Sequence, residues 1–432
     1  MSRHDNQDVL SREIIPVEAL EPMFEQWREG NGKALSIIRA TSAVISTISS
    51  SLLIWMLARS TKRFTTTQHR ILLGMSIFDI IMSLSYAHFN AMAPSEMSYI
   101  VWNAHGNEVS CAVVGYFSLI GLIGVLLYQC SLNVYYLLVI KFGKTDRYIR
   151  MKAEPFLHGV PILVTLIFTL PQIPYKNFNS NTDGACIWPS YEPPHCIGYE
   201  FMEVREGFSI PCGRGRDSPE VFSYLSTIFF LGTPIFIGVI LGVMYVHVRK
   251  QEKRMARFGV GSLNLNEGAN GSTEANDNSI CSRIRKWFTK KRSSSPEQSN
   301  SRGVLQQAAA FSCAYFLTWG WFIIYRFVEH AGADVPLWLE YMVNIFSTLQ
   351  GFFNLIVFIY PKVVKAKRSQ DGDLSWYQAI GKVFHPKGEW EKKKKRPTLP
   401  VSEEASHTGS MQNENCVELE TGGINEEDIN KE

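Results

Sequence analysis

The sequence predicts an all-α membrane protein: seven transmembrane helices in one bundle, with the N-terminus outside and the C-terminus inside. Three observations predict it. Seven stretches are apolar over the roughly 20 residues that a helix needs to cross a hydrocarbon core about 30 Å thick. Lysine and arginine gather in alternate connections between those stretches. The cysteines able to pair in an oxidising compartment fall on the opposite side from those cations. Averages hide this segregation, because 46% hydrophobic and 19% charged residues with a net charge of +3 over 432 residues would suit many soluble proteins.

The predicted helices cover 34–58, 71–93, 109–140, 156–174, 221–247, 308–330 and 337–360. Ahead of them, 1–33 is a short hydrophilic extracellular arm without an apolar core of signal-peptide type, so helix one is expected to act as the targeting signal. Helix one is rich in Ser and Thr, which in a membrane mark helix contacts more than lipid contacts. Helix four is the shortest and carries Pro161, Pro171 and Pro174. A membrane helix tolerates them because its neighbours re-satisfy the freed carbonyls. No internal repeat is visible, whereas many transporters are built from two related halves. The bundle is thus one domain over 34–361, followed by a cytoplasmic tail over 362–432.

The connections set the orientation. Loop 59–70 carries Arg59, Lys62, Arg63 and Arg70, and loop 141–155 carries Lys141, Lys144, Arg147, Arg150 and Lys152. The fifth connection has basic clusters around Arg249, Lys250, Lys253 and Arg254 and again around Lys290, Lys291 and Arg292, with a Gly-, Asn- and Ser-rich stretch between. It reads as a disordered cytoplasmic loop over about 250–303. Connections 94–108 and 331–336 contain no Lys or Arg and are placed outside. The tail starts basic and amphipathic at Lys362, suiting either a surface helix against anionic lipid or a solvated stretch, and ends polar and disordered.

Cys111 opens helix three on the outer side, and Cys186, Cys196 and Cys212 lie in the long outer loop 175–220. Four cysteines allow three pairings. The favoured one ties Cys111 to Cys186 and closes a lobe with Cys196 and Cys212; other pairings and free thiols stay open.

Polar side chains at membrane depth are expensive, so each is a candidate for function or a satisfied packing contact. Asp79, Gln129, Asn133, Gln350 and Asn354 fall in the inner half of their helices. One carboxylate with several amides suits a network that rearranges between two bundle packings, or a static polar clamp. His88, Asn90, Arg326, Glu329, Glu340 and Asn344 fall near the outer face and either line a ligand cavity or snorkel to the interface. Asp146-Arg147-Tyr148 resembles the triplet at the inner end of helix three in rhodopsin-like receptors. Counting argues against the match: Arg147 is 36 residues past Cys111 (147 minus 111), or about 54 Å of helix, too long for one crossing. The depth of that triplet is held instead by Val134, Tyr135 and Tyr136. The histidines show no ligand pair at helical spacing, and no nucleophile pair is visible, so no metal, cofactor or enzyme activity is expected. Nothing in the sequence points to nucleic acid.

In helix seven, Leu349-Gln350-Gly351-Phe352-Phe353-Asn354-Leu355-Ile356-Val357-Phe358 resembles the Leu-Gln-Gly-Phe-Phe-Asn pattern of the cyclic-AMP-receptor-like G-protein-coupled receptors, and a similar stretch occurs in secretin-like and adhesion receptors. Further segments look like that group: Arg70-Ile71-Leu72-Leu73-Gly74-Met75-Ser76 leading to Asp79, Asn133-Val134-Tyr135-Tyr136-Leu137-Leu138, and Phe316-Leu317-Thr318-Trp319. Cys186-Ile187-Trp188 resembles the outer-loop Cys-Trp of secretin-like receptors, where the two residues are adjacent.

The resemblance implies a plasma-membrane receptor that activates a heterotrimeric G protein through the inner ends of helices three, five, six and seven. Tyr136, Lys141, Arg249, Lys250, Lys253 and Arg254 are then expected to face the G protein. It does not imply the extracellular ligand. The arm is too short for a large hormone-binding domain, so a ligand is expected to bind the bundle or the cysteine-bearing loop, with Trp188 added to the outer residues named above. Ser293, Ser294 and Ser295 follow a basic cluster and are candidate phosphorylation sites. The alternative is a seven-helix transporter or channel.

Overall fold

The computed structural model describes residues 25–60, 64–181, 183–187, 214, 220–260, 296–331, 333, 335–368 and 375–384. Among them are seven helices long and apolar enough to cross a membrane, spanning Glu25–Arg59, Thr67–Met92, Glu108–Ile140, Glu154–Gln172, Ile228–Arg254, Gly303–Val328 and Leu337–Lys367. Large apolar side chains face outward on several of them; Ile48, Leu163, Ile228 and Val239 are each more than half exposed. That pattern suits lipid rather than water as the surrounding solvent.

Local chemistry fixes where the helices start. Helix two begins at Thr67, four residues before the apolar run predicts, because the Thr66 hydroxyl accepts from the His69 N–H and caps the first turn. Asn107 caps helix three in a reciprocal box with Ser110, each side chain bonding the other's backbone at 2.8 Å. Helix four, Glu154–Thr169, tightens into a 3-10 turn at Leu170–Gln172, where Pro171 lacks the N–H that an α-turn needs.

Several boundaries differ from the sequence reading. Helix five runs over Glu220–Val260 and helix six over Pro296–His330, so both ends of the stretch expected to be a disordered loop from 250 to 303 are helical. Polar residues sustain a helix in water as well as apolar ones do in lipid, so hydropathy marks the crossing and not the helix end. Helix seven continues through Pro361 to Arg368, past the expected domain end at 361, and a further helix covers Trp376–Phe384. Asp146–Lys152 is a separate seven-residue helix, expected as loop, while helix three stops at Ile140.

Helix three is central and packs against helices two, four, five and six, while helix one lies against helices two and seven. The inner half of the bundle holds the largest buried apolar cluster, including Leu57, Leu72, Met75, Tyr136, Met244, Phe311 and Phe358. Between the fourth and fifth membrane-spanning helices, a two-stranded hairpin of β1 (Asn179–Ser180) and β2 (Cys186–Ile187) pairs Ser180 with Cys186. Cys111 and Cys186 form a disulfide with their Cα atoms 5.3 Å apart, as favoured from the sequence. Cys196 and Cys212 lie outside the described residues.

Candidate functional site

Arg39 organises the outer mouth. It stands inside the first apolar stretch, where a guanidinium is tolerated only with partners, and it is 3% exposed. Its Nη1 donates to Asp183 Oδ2 at 2.5 Å and to Asn344 Oδ1 at 3.4 Å. Its Nη2 donates to Asn90 Oδ1 at 2.7 Å and to the Asp183 carbonyl at 2.8 Å. The guanidinium carbon lies 5.5 Å from the centre of the Phe89 ring, within cation–π range. Helices one, two and seven are thereby joined through one side chain.

Asp183 comes from the outer loop, which folds back into the bundle. Gly184 makes this possible with φ at +80°, a left-handed conformation in which a side chain would also run into Asn90 and Val101. Two residues on, the disulfide at Cys186 fastens the loop to helix three. Asn90 Nδ2 donates to the Asp183 carbonyl at 3.2 Å and to the Trp102 carbonyl at 3.1 Å, tying the two outer connections together.

Of the residues expected around an outer cavity, Asn90 and Asn344 are at this cluster. Glu340 is one turn outward of Asn344, whose Nδ2 donates to the Glu340 carbonyl at 2.9 Å. His88 is not brought in: it is exposed, and its Nδ1 pairs with the Leu84 carbonyl of its own helix at 2.8 Å. Arg326 is half-buried on helix six. Trp188 and the Glu329 side chain lie outside what is described.

The inner polar residues form three buried groups rather than one bonded layer. Asp79 Oδ2 accepts from the hydroxyls of Ser50 at 2.5 Å and Ser46 at 3.2 Å, and Ser46 Oγ in turn accepts from the Gly351 N–H at 2.9 Å. Gln350 Oε1 accepts from Thr318 Oγ1 at 2.5 Å and Trp319 Nε1 at 3.1 Å, and Gln350 Nε2 donates to Asn354 Oδ1 at 3.2 Å. Asn133 Oδ1 accepts from Ser312 Oγ at 3.0 Å, and Gln129 Nε2 donates to the Phe311 carbonyl at 3.3 Å. The first group joins helices one, two and seven, the second helices six and seven, the third helices three and six. Gly351 sits between the first two, and a methyl on its Cα would collide with Ser50 Oγ and Asp79 Oδ2.

At the inner face, Arg70 of helix two grips Glu154 of helix four, its Nε and Nη2 each 2.5 Å from a carboxylate oxygen. The Thr67 hydroxyl donates to Glu154 at 2.9 Å and the Thr67 N–H to Asp146 Oδ1 at 3.2 Å. The discounted Asp146 thus helps hold the start of helix two. Tyr136, expected to face a partner, is instead buried at 1% exposure, its hydroxyl accepting from Gln68 at 3.0 Å. An aromatic ring at a helix crossing gains more from packing than from water, which accounts for the difference. Lys141, Arg249, Lys250, Lys253 and Arg254 are exposed. Ser293, Ser294 and Ser295 lie outside the described residues, and no metal-binding group occurs among those described.

Sequence reasoning missed Arg39, Asp183, Ser46 and Ser50. Arg39 had a signal, being the lone charge within 34–58. Ser46 and Ser50 had a weaker one, a spacing of four that puts both on one helix face. Asp183 had none, since only the folded loop brings it to Arg39.

The fold is that of a multi-pass helical membrane bundle with a disulfide-fastened outer loop. No protein-family model and no curated protein matches the chain.

Proposed function

We propose that the chain is a cell-surface receptor that passes an extracellular ligand signal to a heterotrimeric G protein by rearranging its helix bundle. The observation that supports this most is the joint in helix seven, where the α-helix Leu337–Phe346 gives way to a 3-10 turn at Ser347–Leu349 and resumes at Gln350. A 3-10 stretch within a longer helix is a natural hinge. On its outer side Asn344 touches Arg39; on its inner side Gln350 and Gly351 hold helix six and helix one. The joint therefore connects the mouth to the helices whose inner ends a receptor must move. A ligand drives such a change only through its difference in affinity between the two packings.

The exposed cations at the inner end of helix five supply a surface for a G protein and for anionic lipid at the plasma membrane. Phosphorylation at Ser293, Ser294 or Ser295 would weaken that attraction.

The test is guanine-nucleotide exchange on a panel of G proteins by the full chain in lipid nanodiscs, beside a variant with Gln350→Leu and Asn354→Leu. The reading expects basal or ligand-evoked exchange that the variant alters. Absence of exchange with every G protein, together with solute flux in proteoliposomes, would replace the receptor with a transporter or channel.

A further inference from the structure

A groove between helices five and six is apolar at one end and charged at the other. Its cavity of about 350 Å³ is walled at the deeper end by Leu241, Gly242 and Ala309, and towards the end of helix five by Tyr245, Arg249 and Glu252. It opens away from the bundle interior. Gly242, Tyr245 and Arg249 line it and are exposed, whereas Met244 and Ala308, buried on the core side of the same two helices, do not line it. At Gly242 a Cβ would meet no atom within 4 Å, so the absence of a side chain there keeps the groove open. The helix-five wall covers 11 residue steps (252 minus 241), or about 17 Å of rise. That is close to one leaflet's share of a hydrocarbon core about 30 Å thick.

Arg249 equips the charged end. Its Nε donates to the Tyr245 hydroxyl at 2.9 Å, and its guanidinium carbon lies 5.3 Å from the centre of the Tyr245 ring. The cation is thereby folded back one turn along the helix, against another residue of the groove wall. Both Nη groups are without a hydrogen-bond partner among the described residues. Such N–H groups are the donors with which a guanidinium takes phosphate oxygens. Glu252 lines the same end and its charge acts on Arg249, so the site suits an anion with one negative charge better than one with several.

We propose that this groove binds one anionic phospholipid from the leaflet at that end of helix five, with an acyl chain lying along Gly242 and the phosphate on the Nη groups of Arg249. The proposal rests on the lipid-facing part of the functional reading above and narrows it, from a general attraction between cations and membrane to one defined site.

The test is native mass spectrometry of the full chain, titrated with phosphatidylglycerol or with phosphatidylcholine of the same acyl chains. The first phosphatidylglycerol is expected to bind the wild type about tenfold more tightly than the first phosphatidylcholine. Arg249→Gln is expected to remove that preference. Gly242→Trp fills the groove without changing any charge and is expected to remove the tight phosphatidylglycerol as well. Arg150→Gln takes away the same charge from an exposed position on the short helix Asp146–Lys152 and is expected to bind as the wild type does. Equal affinity of the wild type for the two lipids would overturn the proposal, because the groove would then accept chains without regard to headgroup. Wild-type binding by Gly242→Trp would overturn it in favour of diffuse charge, as would equal losses in Arg249→Gln and Arg150→Gln. Gln306→Trp, on the exposed opposite wall, carries the same measurement if the glycine variant does not fold. No G protein takes part, so failure here leaves the receptor reading standing, and absence of nucleotide exchange leaves this site standing.

Discussion

At the scale of single residues, depth in the membrane was a good guide to which polar groups are buried and a poor guide to their partners. Asp79, Gln129, Asn133, Gln350 and Asn354 are all buried and bonded, as their cost in lipid requires. Their donors are mostly serine, threonine and tryptophan side chains that hydropathy treats as bland, which is why a single layer was expected and three groups are found. Gly351 gives the sharpest residue-level prediction. Glycine to alanine inside a helix ordinarily gains about 0.5–1 kcal/mol. At 351 the new methyl meets Ser50 and Asp79, and overpacking costs about 1–3 kcal/mol. The sign therefore reverses: Gly351→Ala is expected to lower the melting temperature, whereas Gly320→Ala on helix six, with open space around it, is not. A Gly351→Ala protein as stable as wild type would mean that helices one and two do not approach helix seven this closely. A second expectation concerns Arg39. Replacing it with Met strands the Asp183 carboxylate in a buried setting, a loss of about 3–5 kcal/mol where one partner of a buried pair is removed. Adding Asp183→Ala should restore part of that stability in a thermal-unfolding cycle.

At the scale of elements, the apolar runs located all seven crossings, and helix three was placed within one residue at each end. Ends in water were the part that escaped, because a helix does not stop where its hydrophobicity stops. Thr66, Pro171 and the 3-10 turn at Ser347–Leu349 set boundaries through hydrogen bonding, which periodicity does not register. Helix five continuing to Val260 is checked by nitroxide labels at successive positions from 248 to 258, whose mobility should repeat every 3.6 residues throughout. A featureless mobility profile beyond 250 would return this stretch to the loop first expected. The outer loop offers another test. Breaking a native disulfide typically removes about 2–5 kcal/mol, so a Cys111→Ala, Cys186→Ala protein should unfold at a lower temperature than the wild type, and reductant should narrow the difference between them.

At the scale of the whole molecule, the expected orientation rests on cations alone, because the membrane sorts Lys and Arg by side. The way the outer loop folds into the bundle was not legible, since it depends on residues far apart in the chain meeting at one point. Orientation predicts labelling by a membrane-impermeant maleimide. A cysteine at Asn103 should react in intact cells, and one at Gly143 only after permeabilisation. The outer cluster has a further consequence, for synthesis. Arg39, Asn90, Asp183 and Asn344 emerge from the ribosome in that order, and the first and last are 305 residues apart. Cys111 must also wait for Cys186 to cross before the loop is fastened. Until helix seven is threaded, the arginine of helix one lacks part of its set of partners. Biogenesis of this chain therefore finishes at the mouth, and a nascent protein stalled before its last helix should carry an incompletely satisfied cation, the kind of flaw by which immature membrane proteins are retained.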